Sequence, residues 1–222
     1  MARQPRKITK REQLIDVAVR LFAEQGYSAV RLKEVAEATN NTYSLVYYYF
    51  KDKEELFAAS MSAAVEKTIS HYKSINRSSE DPVARIVEWF QLNVLYATEL
   101  RFFVRIMIDA PELKTKSVQM ARVIDSFYKF EQTILQSSFR VGVAQKIFVC
   151  PDPDDLARFT SCHIDGIYMR SLSRADFEVA DAFRDLYTYL MKILEYGPSD
   201  VPDFGKAGAF EHLLVSAETL HR

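Results

Sequence analysis

Eight consecutive residues concentrate the side chains best suited to surface chemistry: Thr42-Tyr43-Ser44-Leu45-Val46-Tyr47-Tyr48-Tyr49. The segment is too polar and too aromatic to be simply buried. On a helix, Val46 and Phe50 face inward, which leaves Tyr43, Ser44 and Tyr48 on outer faces. Their hydroxyls there are of the kind that bonds to phosphate oxygens or base edges; otherwise they are surface tyrosines with no partner. Arg31 and Lys53 flank the segment, near the starts of the second and fourth predicted helices. A cation at a helix start opposes the macrodipole by about 0.3–1 kcal/mol, and a bound oxyanion would remove the conflict. The neighbouring acids Glu34, Asp52, Glu54 and Glu55 offer a compensation of their own.

No catalytic pattern accompanies these residues. There is no Gly-rich phosphate loop and no nucleophile motif. His71, His163, His212 and His221 stand at no metal-ligand spacing. In Ser161-Cys162-His163-Ile164-Asp165 consecutive helix positions point apart, so the run makes no triad. Cys150 and Cys162 form no C-x-x-C pair and read as buried small hydrophobes in a reducing cytoplasm. The expectation is a protein without catalytic residues, metal or cofactor. No apolar run approaches the roughly 20 residues that span a bilayer, and the basic N-terminus is not followed by an apolar signal core.

The elements that must hold the segment are all helical. Thr9-Lys10-Arg11-Glu12 is a capping box, Leu14, Ala18, Leu21 and Phe22 share one face, and Gly26 ends the helix with Tyr27 packing back on Phe22. Leu32, Val35, Ala36 and Thr39 form the stripe of a second, short helix that Asn40-Asn41 breaks. Thr42 caps the third, and Asp52 with Glu55 opens a fourth that runs towards His71. After the polar loop at 76–82 come long amphipathic helices: Pro82 to about Thr98, Leu100 to Asp109 before Ala110-Pro111, Lys116 to Val141, Asp154 to Ser171, and a last one to Tyr196. Phe210–Leu220 reads as a short terminal helix. The fold class is all-α: a small N-terminal three-helix unit at 1–53 and a larger helical bundle at 54–222.

Charge is split along the same boundary. Residues 1–53 carry ten Lys/Arg and six Asp/Glu, whereas 54–222 carry nineteen and twenty-four. The first eleven residues hold five basic side chains and no acid. A basic end on an acidic body is the footprint of a protein that meets phosphate at one end, or of a solvated tail. Helices two and three are separated by only a few residues, the arrangement in which the second of the pair enters a major groove.

Residues 10–57 resemble the DNA-binding domain of the TetR/AcrR family. The likeness rests on Leu21-Phe22-Ala23-Glu24-Gln25-Gly26-Tyr27, on Val35-Ala36, and on Val46-Tyr47-Tyr48-Tyr49-Phe50-Lys51-Asp52-Lys53-Glu54-Glu55-Leu56. The chain departs from the family pattern at Val30, Arg31, Asn40, Asn41 and Tyr49. These positions concern the turn and the groove face, so they bear on operator sequence rather than on fold. The resemblance implies a DNA-binding transcriptional regulator, a repressor that grips a palindromic operator as a homodimer and is released by a small, largely apolar effector. The alternatives are a helical protein-interaction adaptor and a non-inducible DNA-binding regulator. The expected DNA-binding residues are Arg31, Thr42, Tyr43, Ser44, Tyr47, Tyr48, Tyr49 and Lys53.

The resemblance also implies that the last two long helices pair with their copies, through Phe159 and Ile167 on one and Phe183, Leu186 and Leu190 on the other. The same stripes could equally be internal core. Among the body's many aromatics, Trp89, Phe90, Phe103 and Phe127 are candidates to line an apolar ligand cavity, with His163 as a polar handle; plain core is the competing reading.

Overall fold

Helix boundaries follow from local signals. In the computed structural model, which describes residues 8–75, 80–109, 118–197 and 200–205, the elements are α1 (Lys10–Gln25), α2 (Leu32–Ala38), α3 (Tyr43–Tyr49), α4 (Lys53–Ile75), α5 (Pro82–Leu95), α6 (Ala97–Asp109), α7 (Val118–Ala144), α8 (Pro153–Ser173) and α9 (Val179–Ile193). No strand occurs among the described residues. The predicted helix at 210–220, the basic arm at 1–7 and the stop at Ala110-Pro111 lie outside them.

The caps are those the sequence predicts. Thr9 and Glu12 form a reciprocal capping box on α1. Gly26 closes the helix at φ 85°, where a side chain would be strained. Asn40 takes φ 51° between α2 and α3, and the Asn41 N–H donates to the Ala36 carbonyl across the turn. Asp81 caps α5 with Pro82 in its first turn. Several boundaries differ from expectation: α6 begins at Ala97 rather than Leu100, α7 runs on to Ala144 rather than about Val141, and α9 stops at Ile193 rather than Tyr196. α5 stops at Leu95 rather than near Thr98, and Tyr96 turns inward to place its hydroxyl 2.7 Å from His71 Nδ1.

The described residues fall into two compact units. One comprises 8–67, 98–109 and 118–126; the other comprises 68–75, 80–97, 127–197 and 200–205. This division differs from the single boundary expected at 53/54. α6 joins the first unit, because the Arg105 guanidinium donates to the last carbonyls of α1, Glu24 and Gln25, at 3.3 Å each. A cation at a helix C-terminus satisfies free carbonyls and matches the dipole. The chain therefore passes between the units within α4, at the start of α6, and within α7.

The first unit is built on Phe22, Phe57 and Tyr27. Phe22 and Phe57 meet edge to face at 4.8 Å, as do Tyr27 and Phe57. Leu14, Ala18, Val30, Val35, Val46, Phe50 and Leu56 complete its core. In the second unit the apolar stripe of α9 (Phe183, Leu186, Tyr187, Leu190) is turned inward, and Phe183 packs against Phe90 of α5 at 5.3 Å.

Candidate functional site

The α1–α3 head displays one concentrated set of outward hydroxyls. α2 packs on both α1 and α3. Val46 and Phe50 are fully buried and seat α3 on the head core. Burial of one stripe fixes the exposure of the other: Thr42, Tyr43, Ser44, Tyr47 and Tyr48 are exposed, and Tyr48 reaches 78 %. Tyr49 is half-buried and meets Tyr48 edge to face.

Each of these side chains has a local role. The Thr42 hydroxyl accepts from the Leu45 N–H as the cap of α3. The Tyr43 and Tyr47 hydroxyls lie 3.0 Å apart, one turn from each other, with their rings edge to face. That hydrogen bond to Tyr43 pushes the Tyr47 phenol above its ordinary range, so it stays a neutral donor and acceptor. Ser44 and Tyr48 have no hydrogen-bond partner among the described residues.

The two cations differ. Arg31 precedes α2 and is exposed, and its guanidinium makes no hydrogen bond or ion pair among the described residues; the Glu34 carboxylate instead accepts from the Arg31 backbone N–H. Lys53 is held. Its ammonium donates to the Ser28 carbonyl at 3.2 Å and sits 4.5 Å over the Tyr27 ring, and desolvation there lowers its pKa. One ammonium carries three protons, so the Ser28 bond leaves donors for a phosphate.

High sequence identity to curated proteins falls on this head. Residues 14–60 match the model of the bacterial regulatory proteins, tetR family. Residues 14–60 therefore form a TetR-family head. It is 46% identical over 48 residues to the HTH-type transcriptional regulator AcrR of Shigella flexneri, a match covering 22% of each protein. It is 26% identical over 124 residues to the HTH-type transcriptional repressor AcnR of Corynebacterium efficiens, covering 53% of this chain and 61% of that one. The chain thus spans less than two thirds of the length of either relative. A transcriptional regulator from Saccharomonospora viridis, crystallised in complex with choline, superposes with a TM-score of 0.72 at 21% identity, over 81% of this chain and 94% of that one. At that identity the likeness shows the fold. The TetR-family head supplies a DNA-binding helix-turn-helix, α2–turn–α3.

The body residues singled out by sequence do not all come together. Trp89 and Phe127 do: their rings are 6.1 Å apart, and Tyr72 and Phe130 close around the indole at 5.6 and 6.0 Å. Phe90, one position from Trp89, points elsewhere, to Phe183 and Phe204. His163 is exposed and stacks loosely with Phe159, so it is no buried handle. The Phe103 side chain lies outside the described residues. Ile167, Phe183, Leu186 and Leu190 are buried within the chain itself, and of the expected pairing residues Phe159 alone is exposed, at 48 %. Of the two cysteines expected to be buried, Cys162 is exposed and Cys150 half-buried.

Sequence reasoning missed a polar cluster beside Trp89. Glu131 of α7 is 1 % exposed. The Ser161 hydroxyl donates to its Oε1 at 2.5 Å, while its Oε2 is buried with no hydrogen-bond partner. The Trp89 indole N–H is buried and unbonded too; it lies near enough to Glu131 to favour the anion slightly, but not in hydrogen-bond geometry. The Tyr128 hydroxyl reaches both oxygens of Asp165, at 3.0 and 3.1 Å. Burial pushes the Glu131 carboxyl up to about 8 and the Asp165 carboxyl up to about 6.

Proposed function

We propose that this protein is a homodimeric repressor whose outward α3 face reads a palindromic operator and whose body binds a small, largely apolar effector that releases the DNA. One observation carries the DNA-reading part: four exposed hydroxyl side chains, Tyr43, Ser44, Tyr47 and Tyr48, stand on a helix whose opposite side is anchored by fully buried Val46 and Phe50. Arg31, Lys53, Thr42 and Tyr47 hold phosphates in this reading, Tyr43 and Ser44 approach base edges, and Tyr48 and Tyr49 flank them. The relative named a repressor and the neighbour crystallised with choline support repression and effector binding respectively. A regulator of bacterial genes works in the cytoplasm. The test is salt-dependent binding of the full chain to the duplex upstream of its own gene. We expect a steep fall in affinity with salt and a palindromic footprint; affinity indifferent to salt sinks the reading.

Dimerisation is proposed through a different set of residues from those the stripes suggested. On α8, Phe159, Cys162, Gly166 and Met169 repeat at three- and four-residue spacing and are all exposed; on the adjoining α9, Tyr189 and Ile193 are exposed at 58 and 40 %. Among the described residues, a Cβ built on Gly166 would meet nothing within 4 Å beyond its chain neighbours and its own helix backbone. A mid-helix glycine costs about 1 kcal/mol relative to alanine, and close approach of a second helix is a reason to keep one. Gly166→Ala should therefore destabilise the dimer in sedimentation equilibrium. If the face is merely solvated, the same change stabilises the chain by about 0.5–1 kcal/mol and leaves assembly unchanged.

Effector coupling follows from chain continuity. α4 and α7 each run unbroken from one compact unit into the other, so a ligand that alters either helix in the second unit acts on a rod that continues into the first. Two heads must match groove faces roughly 34–36 Å apart, which makes operator affinity sensitive to small shifts. By linkage, effector and DNA weaken each other by the same factor.

A further inference from the structure

The second compact unit contains an electrostatic imbalance that its own residues do not resolve. Glu131 and Asp165 are a buried and a half-buried carboxyl on neighbouring helices, linked through Ser161 and Tyr128 of the same two helices. Among the described residues no Lys, Arg or His is paired with either. The groups facing them are hydroxyls (Ser161, Tyr128) and an indole N–H (Trp89), with Cys162 near the Tyr128 end. An uncompensated carboxyl in such surroundings costs several kcal/mol if charged, so Glu131 is held as the neutral acid in the protein alone. An apolar side chain would fill the same space without that cost.

The surroundings of the acids are aromatic. Tyr72, Trp89 and Phe130 stand at 5.6–6.0 Å from one another with ring planes 71–89° apart, and Phe127 adds a fourth ring. Ring faces attract cations. One already does so here: the Lys73 ammonium lies 5.5 Å over Phe130 at the exposed edge of the cluster.

We propose that this cluster is a binding site for a small organic cation, a quaternary or protonated amine, whose charge is met by Glu131 and Asp165 and whose hydrocarbon is met by Trp89, Phe127 and Phe130. The unbonded Glu131 Oε2 and the ring faces favour this class over anions, which two acids repel, and over neutral hydrocarbons, which leave the acid unpaired. A cation arriving within about 4–6 Å stabilises the carboxylate and displaces its proton. The proposal rests on the reading of the body as an effector domain, and it sharpens that reading: the effector is apolar in bulk but carries a positive head.

Trp89 is the chain's single tryptophan, so its fluorescence reports on the site directly. The probes are phenyltrimethylammonium and tert-butylbenzene, its neutral carbon isostere. We expect the cation to change Trp89 emission saturably and to bind about tenfold or more tightly than the isostere. Glu131→Gln, which keeps the Ser161 hydrogen bond, should weaken the cation about tenfold and leave the isostere unchanged; Asp165→Asn is the second variant, and unchanged far-ultraviolet dichroism shows that each folds. Equal binding of the two probes, no response of Trp89 to the cation, or indifference of both variants would overturn the proposal. Operator affinity measured in parallel separates the two claims. A cation that binds without weakening DNA upholds the site and removes the coupling. A neutral ligand that releases DNA, where the cation does not bind, upholds the coupling and removes the site.

Discussion

The outward face of α3 and the interior around Glu131 are both made of aromatic rings and polar atoms, and they treat those atoms in opposite ways. On α3 the hydroxyls are exposed and satisfied by each other, by a cap or by solvent, so no energetic conflict marks the site. Around Glu131 the polar atoms are buried, and two of them, Glu131 Oε2 and Trp89 Nε1, lack a hydrogen-bond partner of good geometry among the described residues. In the proposed reading, the difference follows from the partner each surface meets. A DNA backbone comes to a protein from solvent, and contact costs little reorganisation of a helix already on the surface. A small molecule must be enclosed to be bound well, so its polar contacts stand waiting in a low dielectric.

The first way to break the comparison is to remove the footing of the head. Phe22→Ala deletes a fully buried ring that touches Tyr27 and Phe57, and should cost about 3–5 kcal/mol. DNA binding should disappear while the Trp89 environment in the other unit persists; loss of both signals together in thermal melts would show that the two units do not unfold separately.

The second concerns pH. The folded-state pKa values of Glu131 and Asp165, about 8 and about 6, lie above their ordinary 4.5 and 3.8. The fold therefore holds protons that the unfolded chain releases, so their contribution is full below about pH 4 and is lost as pH rises, first through Asp165 and then through Glu131. Melting temperature should fall from pH 6 to 9 in the native protein and fall less in Glu131→Gln. No comparable slope should arise from the hydroxyls of α3, and an identical slope in the variant would show that Glu131 is ionised throughout.

Smaller effects belong to the surface. Arg31→Ala should weaken all duplexes alike and reduce the salt slope by about one, since its guanidinium has no partner among the described residues. Lys53→Ala should reduce the slope equally and also loosen the α1–α2 turn, because its ammonium holds Ser28 and Tyr27. Least of all, Tyr43→Phe should leave stability within about 0.5 kcal/mol. Its effect should be confined to operator sequence preference, read by binding to single-base variants of the duplex.

These contrasts explain what the sequence revealed. The head was legible because its signals are local: Thr9 and Glu12 cap within one turn, Gly26 and Asn40 each take a backbone conformation their residue type favours, and Val46 with Phe50 fixes which way the tyrosines point. An apolar stripe on a long helix carries no address. Phe183, Leu186 and Leu190 announce that α9 buries a face, and only packing against Phe90 shows that the face is used within the chain. Glu131 was invisible for the converse reason. One acid between Phe130 and Gln132 on an amphipathic helix reads as solvated, and its burial depends on α5 and α8 arriving beside it. His163 failed similarly, since its turn of α8 faces outward while Ser161 and Asp165 reach α7.

The interleaving of the two compact units has a consequence for exchange by recombination. A crossover after residue 53 or 67 would transplant α1–α3 into a foreign body while leaving behind Arg105, whose guanidinium closes the last carbonyls of α1. Such a chimera inherits an unclosed helix end at the centre of its reading head unless the recipient supplies an equivalent donor from its own sixth helix. Functional hybrids between this chain and its relatives should therefore be found where the segment 98–126 travels with the head.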